Sequence, residues 1–199
     1  MLPARDELHL WRIDAAGATP PERRERSRSA CEAILTDYLD GPPLIVRNRT
    51  GRPHSEPAQA AGLAFSSSHS GARAVLAVAR RAAVGVDIEV LARRRRIVSA
   101  ALDPAEVDRV QGADPAQQLA LFLRHWAAKE AYVKALGTGF HGIEPREVPV
   151  AIEDGRITLR RPRDRRRWSL AALDPWPGVV GAVAVSGEPL AISTFDTAP

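Results

Sequence analysis

From Val84 to Val90 the chain alternates strictly: Val84, Val86, Ile88 and Val90 fall on one side, and Gly85, Asp87 and Glu89 on the other. A period of two is that of a β-strand, so the two carboxylates share one face of a half-buried strand. The same alternation in ELHLWRI (7–13) predicts an opening strand, and the β-branched run ARAVLAVAR (72–80) predicts another. Between turn signals, LIVRN (44–48) reads as a short strand, and SSSHSG (66–71) reads as a polar loop splitting two apolar runs. Ala30, Ala33, Ile34 and Tyr38 recur at helical spacing and predict a helix over 22–39. A second, short helix is expected within the Asp- and Pro-punctuated stretch 98–113. Asp114 as N-cap, Pro115 in the first turn and Gly137 as terminator bound a long helix with Phe122, Trp126, Val133 and Leu136 on its apolar stripe. Three further strands are expected in PVAIEDGRITLRR, RRWSLAALD and VVGAVAVSG, with Asp154-Gly155 as a hairpin turn. Strands and helices mix without regular βα alternation, so the fold class is α+β.

Composition narrows this only a little. A chain of 199 residues can bury a sizeable core as one domain or as two small halves. The hydrophobic fraction of 45% and charged fraction of 26% are those of a globular protein. No apolar run approaches the roughly 20 residues that cross a bilayer, and no leader follows Met1, so a cytoplasmic protein without membrane partners is expected. The single cysteine, Cys31, has no disulfide partner and reads as an inert helical residue. A net charge of +4 favours anionic partners without choosing among nucleic acid, a phosphorylated small molecule and an acidic protein.

Of the 28 basic residues only Lys129 and Lys134 are lysines, and both lie in WAAKEAYVKALGTG (126–139). Glu130 and Lys134 stand four apart in the favourable helical order, which an ordinary surface ion pair would explain. An arginine would satisfy such a pair equally well. An ammonium is compact and gives up its proton when its pKa is lowered, whereas a guanidinium does not, so chemistry explains the exception better. Asp87 and Glu89 could be leftover charge on a solvated strand face or part of a hard-cation site, since magnesium takes one or two carboxylates plus water and phosphate oxygens. The hydroxyls and imidazole of SSSHSG suit a phosphate, although a lone histidine in a loop is commonly a surface residue. Arg23, Arg24, Arg26 and Arg28 crowd the start of the first helix, against its macrodipole, as solvated charge or as an anion site.

Four stretches taken in order, GRP (51–53), FSSSHSG (65–71), GVDIE (85–89) and WAAKEAYVKALGTG (126–139), closely resemble the 4′-phosphopantetheinyl transferases of the surfactin-synthetase-activating (Sfp) type. The resemblance implies a pseudo-dimer of two similar α/β halves, residues 1–82 and 83–199, with the active site in the cleft between them. It implies transfer of the 4′-phosphopantetheine arm of coenzyme A to a serine of an acyl or peptidyl carrier protein, with release of 3′,5′-ADP, by a monomer. Asp87, Glu89 and Glu130 would hold Mg²⁺; Arg52, Ser68, His69, Lys129 and Lys134 would contact coenzyme A; Glu130 and Lys134 would be catalytic. The chain departs from the family pattern at Arg52, Ser66 and Ala127, where Lys, Asn and Ser or Thr are usual, and its first part is shorter. Two other readings remain: a different magnesium-dependent nucleotide phosphotransferase or hydrolase, and a nucleic-acid-binding module using Arg93–Arg96 and RRPRDRRR (160–167).

Overall fold

The computed structural model describes residues 2–15, 19–47, 51, 53–93, 96–153 and 155–197; Arg52 lies outside them. Strand β1 (Glu7–Asp14) leads to helix α1 (Pro20–Leu39), the two-residue strands β2 (Val46–Arg47) and β3 (Pro53–His54), and the short helix α2 (Glu56–Ala60). Strands β4 (Leu63–Ser70), β5 (Arg73–Arg80) and β6 (Val84–Val90) follow, then helices α3 (Pro104–Gln111) and α4 (Pro115–Leu136). Strands β7 (Val150–Glu153), β8 (Arg156–Leu159), β9 (Trp168–Trp176), β10 (Val179–Ser186) and β11 (Ala191–Asp196) complete the order.

Two sheets carry the core, one ordered β11-β1-β5-β4 and the other β6-β10-β9-β8-β7, while β2 and β3 pair separately. The period-two pattern decides what each face meets. In β5, Val75, Ala77 and Ala79 point towards the second sheet and pack with Val84, Val86 and Ile88 of β6 and Val183 of β10. The alternate residues Ala74, Leu76 and Val78 point the other way and bury Ile34, Leu35 and Tyr38 of α1. On the far side of the second sheet, Ala182 and Ala184 pack against Ala128, Ala131, Tyr132 and Ala135 of α4. The result is four layers: helix, sheet, sheet, helix.

Helix α4 begins and ends where the sequence places it: the Asp114 side chain accepts the Ala116 amide at 2.8 Å, and Gly137 takes the left-handed conformation (φ 87°) and returns its N–H to Val133. The helix is buried on more than one stripe, however, with Ala127, Ala128, Lys129, Ala131, Tyr132 and Val133 all fully enclosed. Its approach to the sheet explains Gly85. A Cβ there would lie 2.0 Å from the Ala131 carbonyl oxygen. The Gly85–Asp87 side of β6 is therefore a packed face rather than a solvated one.

Two further expectations are corrected. SSSHS is strand, not loop: β4 pairs with β5 in antiparallel register from Leu63–Arg80 to Ser70–Arg73. A strand that the local pattern does not signal, β11, runs parallel to β1 with Glu7 opposite Ala191 and Arg12 opposite Asp196. Phe195 stacks on Trp11 at 5.0 Å, and Arg12 pairs with Asp196 at 2.6 Å. The first sheet is thus completed by residues far along the chain.

Candidate active site

The two sheets meet edge to edge at β4 and β6, and side chains rather than backbone join them. An edge strand leaves alternate N–H groups without a ladder partner. Those of β6 are taken by hydroxyls of β4: Val86 donates to Ser66 at 3.1 Å, Ile88 to Ser68 at 3.3 Å and Val90 to Ser70 at 3.1 Å. Two of these hydroxyls then donate onward, Ser68 to Asp87 Oδ1 at 2.8 Å and Ser70 to Glu89 Oε2 at 3.3 Å.

Asp87, only 6% exposed, is also met from the helix side. Lys134 Nζ lies 2.6 Å from Asp87 Oδ1 and 3.2 Å from the Val86 carbonyl oxygen. Trp126, Glu130, Lys134 and Gly137 recur one turn apart on α4 and face the same cavity as Asp87 and Glu89, a space of about 470 Å³. The expected ion pair of Lys134 is therefore with Asp87 across the layer. Ser68 and His69 line this cavity as well. A second cavity of about 470 Å³ continues past them beneath α1 towards Arg24 and Arg28, and a third, of about 390 Å³, is bounded by Arg23, Arg24, His69 and Glu89. His69 lines all three. Arg26, the other basic residue of that group, lines none of them.

Lys129 is elsewhere. Its side chain is fully buried on another side of α4, where its ammonium donates to Glu106 Oε2 at 2.5 Å and to the carbonyls of Ala101 and Pro145, each at 3.0 Å. Three donors meet three acceptors, so the expected contact between Lys129 and a coenzyme phosphate is corrected. Glu106 also accepts the amides of Asp103 and Val150, both at 2.8 Å, and His125 approaches its other oxygen at 3.6 Å. Burial pushes the Glu106 carboxyl up, but His125, Lys129 and the Val150 amide outweigh it and hold it below the usual 4.5. Neither Glu106 nor His125 was expected from the sequence. The only signal was the capping pattern Asp103-x-x-Glu106, which ordinarily marks an exposed helix start.

The Ser68 hydroxyl, expected to contact the coenzyme, spends its proton on Asp87 while accepting the Ile88 amide. Cys31 is buried on α1 and its thiol is pushed up to about 12 by burial. No helix among the described residues is long and apolar enough to cross a membrane.

The site offers hard oxygen donors from β6 and α4, and Asp87 already holds a cation, the Lys134 ammonium. That chemistry fits magnesium, which shares its shell between carboxylates, water and ligand phosphate oxygens. Among the described residues no three such side chains close into a cage by themselves. The fit is to an ion completed by its ligand. An acid-lined cleft with one ammonium beside it, continuing past a histidine to arginines, suits an anionic, phosphate-bearing compound.

Comparison with known proteins gives the family. Residues 83–185 match the family described as the 4′-phosphopantetheinyl transferase superfamily. The 4′-phosphopantetheinyl transferase HetI of Nostoc sp. (strain PCC 7120) is 30% identical over 214 residues, covering 92% of this chain and 89% of HetI. The 4′-phosphopantetheinyl transferase AcpT of Escherichia coli (strain K12) is 33% identical over 134 residues, 62% of this chain and 68% of AcpT. A crystal structure of Thermotoga maritima holo-acyl-carrier-protein synthase overlaps 52% of this chain and 62% of its own, with TM-score 0.45 and 19% identity. The chain belongs to the 4′-phosphopantetheinyl transferase superfamily, and its enzyme class is that of the 4′-phosphopantetheinyl transferases.

Proposed function

We propose that the protein transfers the 4′-phosphopantetheine arm of coenzyme A to a serine hydroxyl of an acyl or peptidyl carrier protein in a magnesium-dependent reaction, releasing 3′,5′-ADP. One observation carries this reading: Asp87 and Glu89 of β6 and Glu130 and Lys134 of α4 line one cavity, and His69 and Glu89 line both it and the cavity bounded by Arg23 and Arg24. On this reading the chain is a monomeric, Sfp-type pseudo-dimer. Residues 1–82 form the nucleotide side and 83–199 the metal and catalytic side, with β11 lent back to the first sheet.

Asp87, Glu89 and Glu130 would hold a magnesium ion, which would supply charge neutralisation for the phosphates of coenzyme A. Phosphoryl transfer needs positioning and electrostatic stabilisation more than covalent help, and the chain's own groups divide that work. Glu130 takes the proton of the carrier serine as the new serine O–P bond forms and the bridging P–O bond of the pyrophosphate breaks. Lys134, whose side chain is 30% exposed beside Asp87, stabilises the departing phosphate. His69 and the arginines of α1 hold the nucleotide end. A net charge of +4 favours encounter with an acidic carrier, so added salt should slow the reaction.

The test is incubation with coenzyme A, Mg²⁺ and an apo carrier protein, read by mass spectrometry of the carrier. A gain of one phosphopantetheine supports the proposal. Phosphate or nucleotide release without carrier modification would favour a hydrolase, and no reaction at all would leave a binding module. Glu130→Gln should lower turnover by about 10²–10⁴-fold if Glu130 is the base.

A further inference from the structure

The serines of β4 stand in a register with β6 that does more than close a seam. Ser66, Ser68 and Ser70 each accept the amide of the residue twenty positions later, Val86, Ile88 and Val90. With an oxygen lone pair committed to that amide, the orientation of each hydroxyl proton is restricted to what remains. For Ser68 and Ser70 it falls on the carboxylate of the intervening residue, Asp87 or Glu89. For Ser66 the intervening residue is Gly85, which has no side chain because α4 approaches there. All three serines are buried, at 9%, 8% and 7% exposure.

We infer that Ser68 and Ser70 are positioning residues: each hydroxyl fixes one β6 carboxylate in the orientation that presents it to the cavity, while Ser66 is a purely structural rung of the same ladder. This deepens the magnesium-dependent reading above and rests on it. The assignment replaces the expected role of Ser68 as a direct phosphate contact. The ladder ties the geometry of the acidic pair to the junction of the two sheets, so the pair is held by a strand outside its own sheet. Asp87 is held from both sides, by Ser68 from β4 and by Lys134 from α4, on the same oxygen. When the ammonium turns away, the Ser68 hydroxyl is the contact that keeps the carboxylate from following.

The internal control makes this testable. Ser66→Ala, Ser68→Ala and Ser70→Ala each remove an acceptor for one β6 amide, but only the last two remove a donor to a carboxylate. Manganese binding in the presence of coenzyme A, followed by electron paramagnetic resonance, should weaken about tenfold in Ser68→Ala and Ser70→Ala, the scale of a lost hydrogen bond to a charged group. In Ser66→Ala it should stay within about twofold of the parent. Equal weakening in all three variants would overturn the positioning role, as would parental binding in Ser68→Ala and Ser70→Ala. A parent protein that binds no manganese would overturn the magnesium reading itself, and this inference with it. Should an alanine variant not fold, amide hydrogen exchange on the parent decides: the amides of Val86, Ile88 and Val90 should be protected, and exchange at the rate of an open sheet edge would overturn the ladder.

Discussion

Replacing Lys129 by Met should cost the protein a large part of its stability and do so without passing through the active site. The ammonium and the Glu106 carboxylate are both fully buried and 2.5 Å apart, and the ammonium is further held by two carbonyls. Removing one partner of such a pair leaves a buried charge uncompensated, at about 3–5 kcal/mol. For a chain of this size that corresponds to a fall in melting temperature of about 6–20 °C. The Glu106→Gln/Lys129→Met double variant removes both charges while a glutamine oxygen can still accept the Val150 amide, so it should be more stable than the sum of the single losses by about 1–3 kcal/mol. Calorimetric or denaturant unfolding of the parent, both single variants and the double variant supplies the cycle. A Lys129→Met protein with unchanged melting temperature but a raised KM for coenzyme A would refute the structural assignment and restore the phosphate contact. The pair also sets an acid limb. Because the folded carboxyl of Glu106 lies below its usual 4.5, its contribution is present above that pH and is lost as the pH falls through the lowered value. Glu106→Gln should flatten that part of the stability profile.

Three other outcomes are expected. Lys134→Arg should leave coenzyme A binding near the parental level but reduce turnover by about ten- to a hundredfold, because a guanidinium cannot reproduce a compact ammonium against Asp87 Oδ1; full activity in single-turnover assays would contradict this. Gly85→Ala should destabilise the protein by about 3 kcal/mol or more, since the new methyl would lie 2.0 Å from the Ala131 carbonyl oxygen and helix α4 would have to shift; an unchanged denaturation midpoint would contradict it. Cys31, with its thiol pushed up to about 12, should resist a thiol reagent at pH 8 in the folded protein and react promptly in denaturant.

Where local chemistry fixes local structure, the sequence is readable. Asp114, Pro115 and Gly137 delimit α4 because caps act within a turn of the residues that carry them, and the alternation of Val84 to Val90 delimits β6 because a strand's faces are set by period alone. What escapes is information held between distant segments. AISTFD becomes a strand only because β1 lies beside it, and no residue within it announces a parallel partner some 180 positions away. The polar run SSSHS resembles a loop until its pairing with β5 and the unladdered amides of β6 explain why serines belong in a buried strand. Lys129 and Lys134 look alike in the sequence, since both depart from a habit of using arginine. Only the packing separates them: one is fully buried and meets three acceptors, and the other lines the cleft beside Asp87. Period two on the strand put Asp87 and Glu89 on one face, while Glu130 joined them only through the resemblance to a known family. Glu106 was not legible, because its capping pattern describes its backbone and says nothing of the lysine above it.

The placement of β11 bears on how the polypeptide acquires this shape. Residues 7–14 leave the ribosome well before their outer neighbour, residues 191–196, so the first sheet keeps an open flank while the intervening chain is synthesised. Its completion is a late, long-range closure of a kind that slows folding. Until then the unpaired flank of β1 offers a ready edge to other strands.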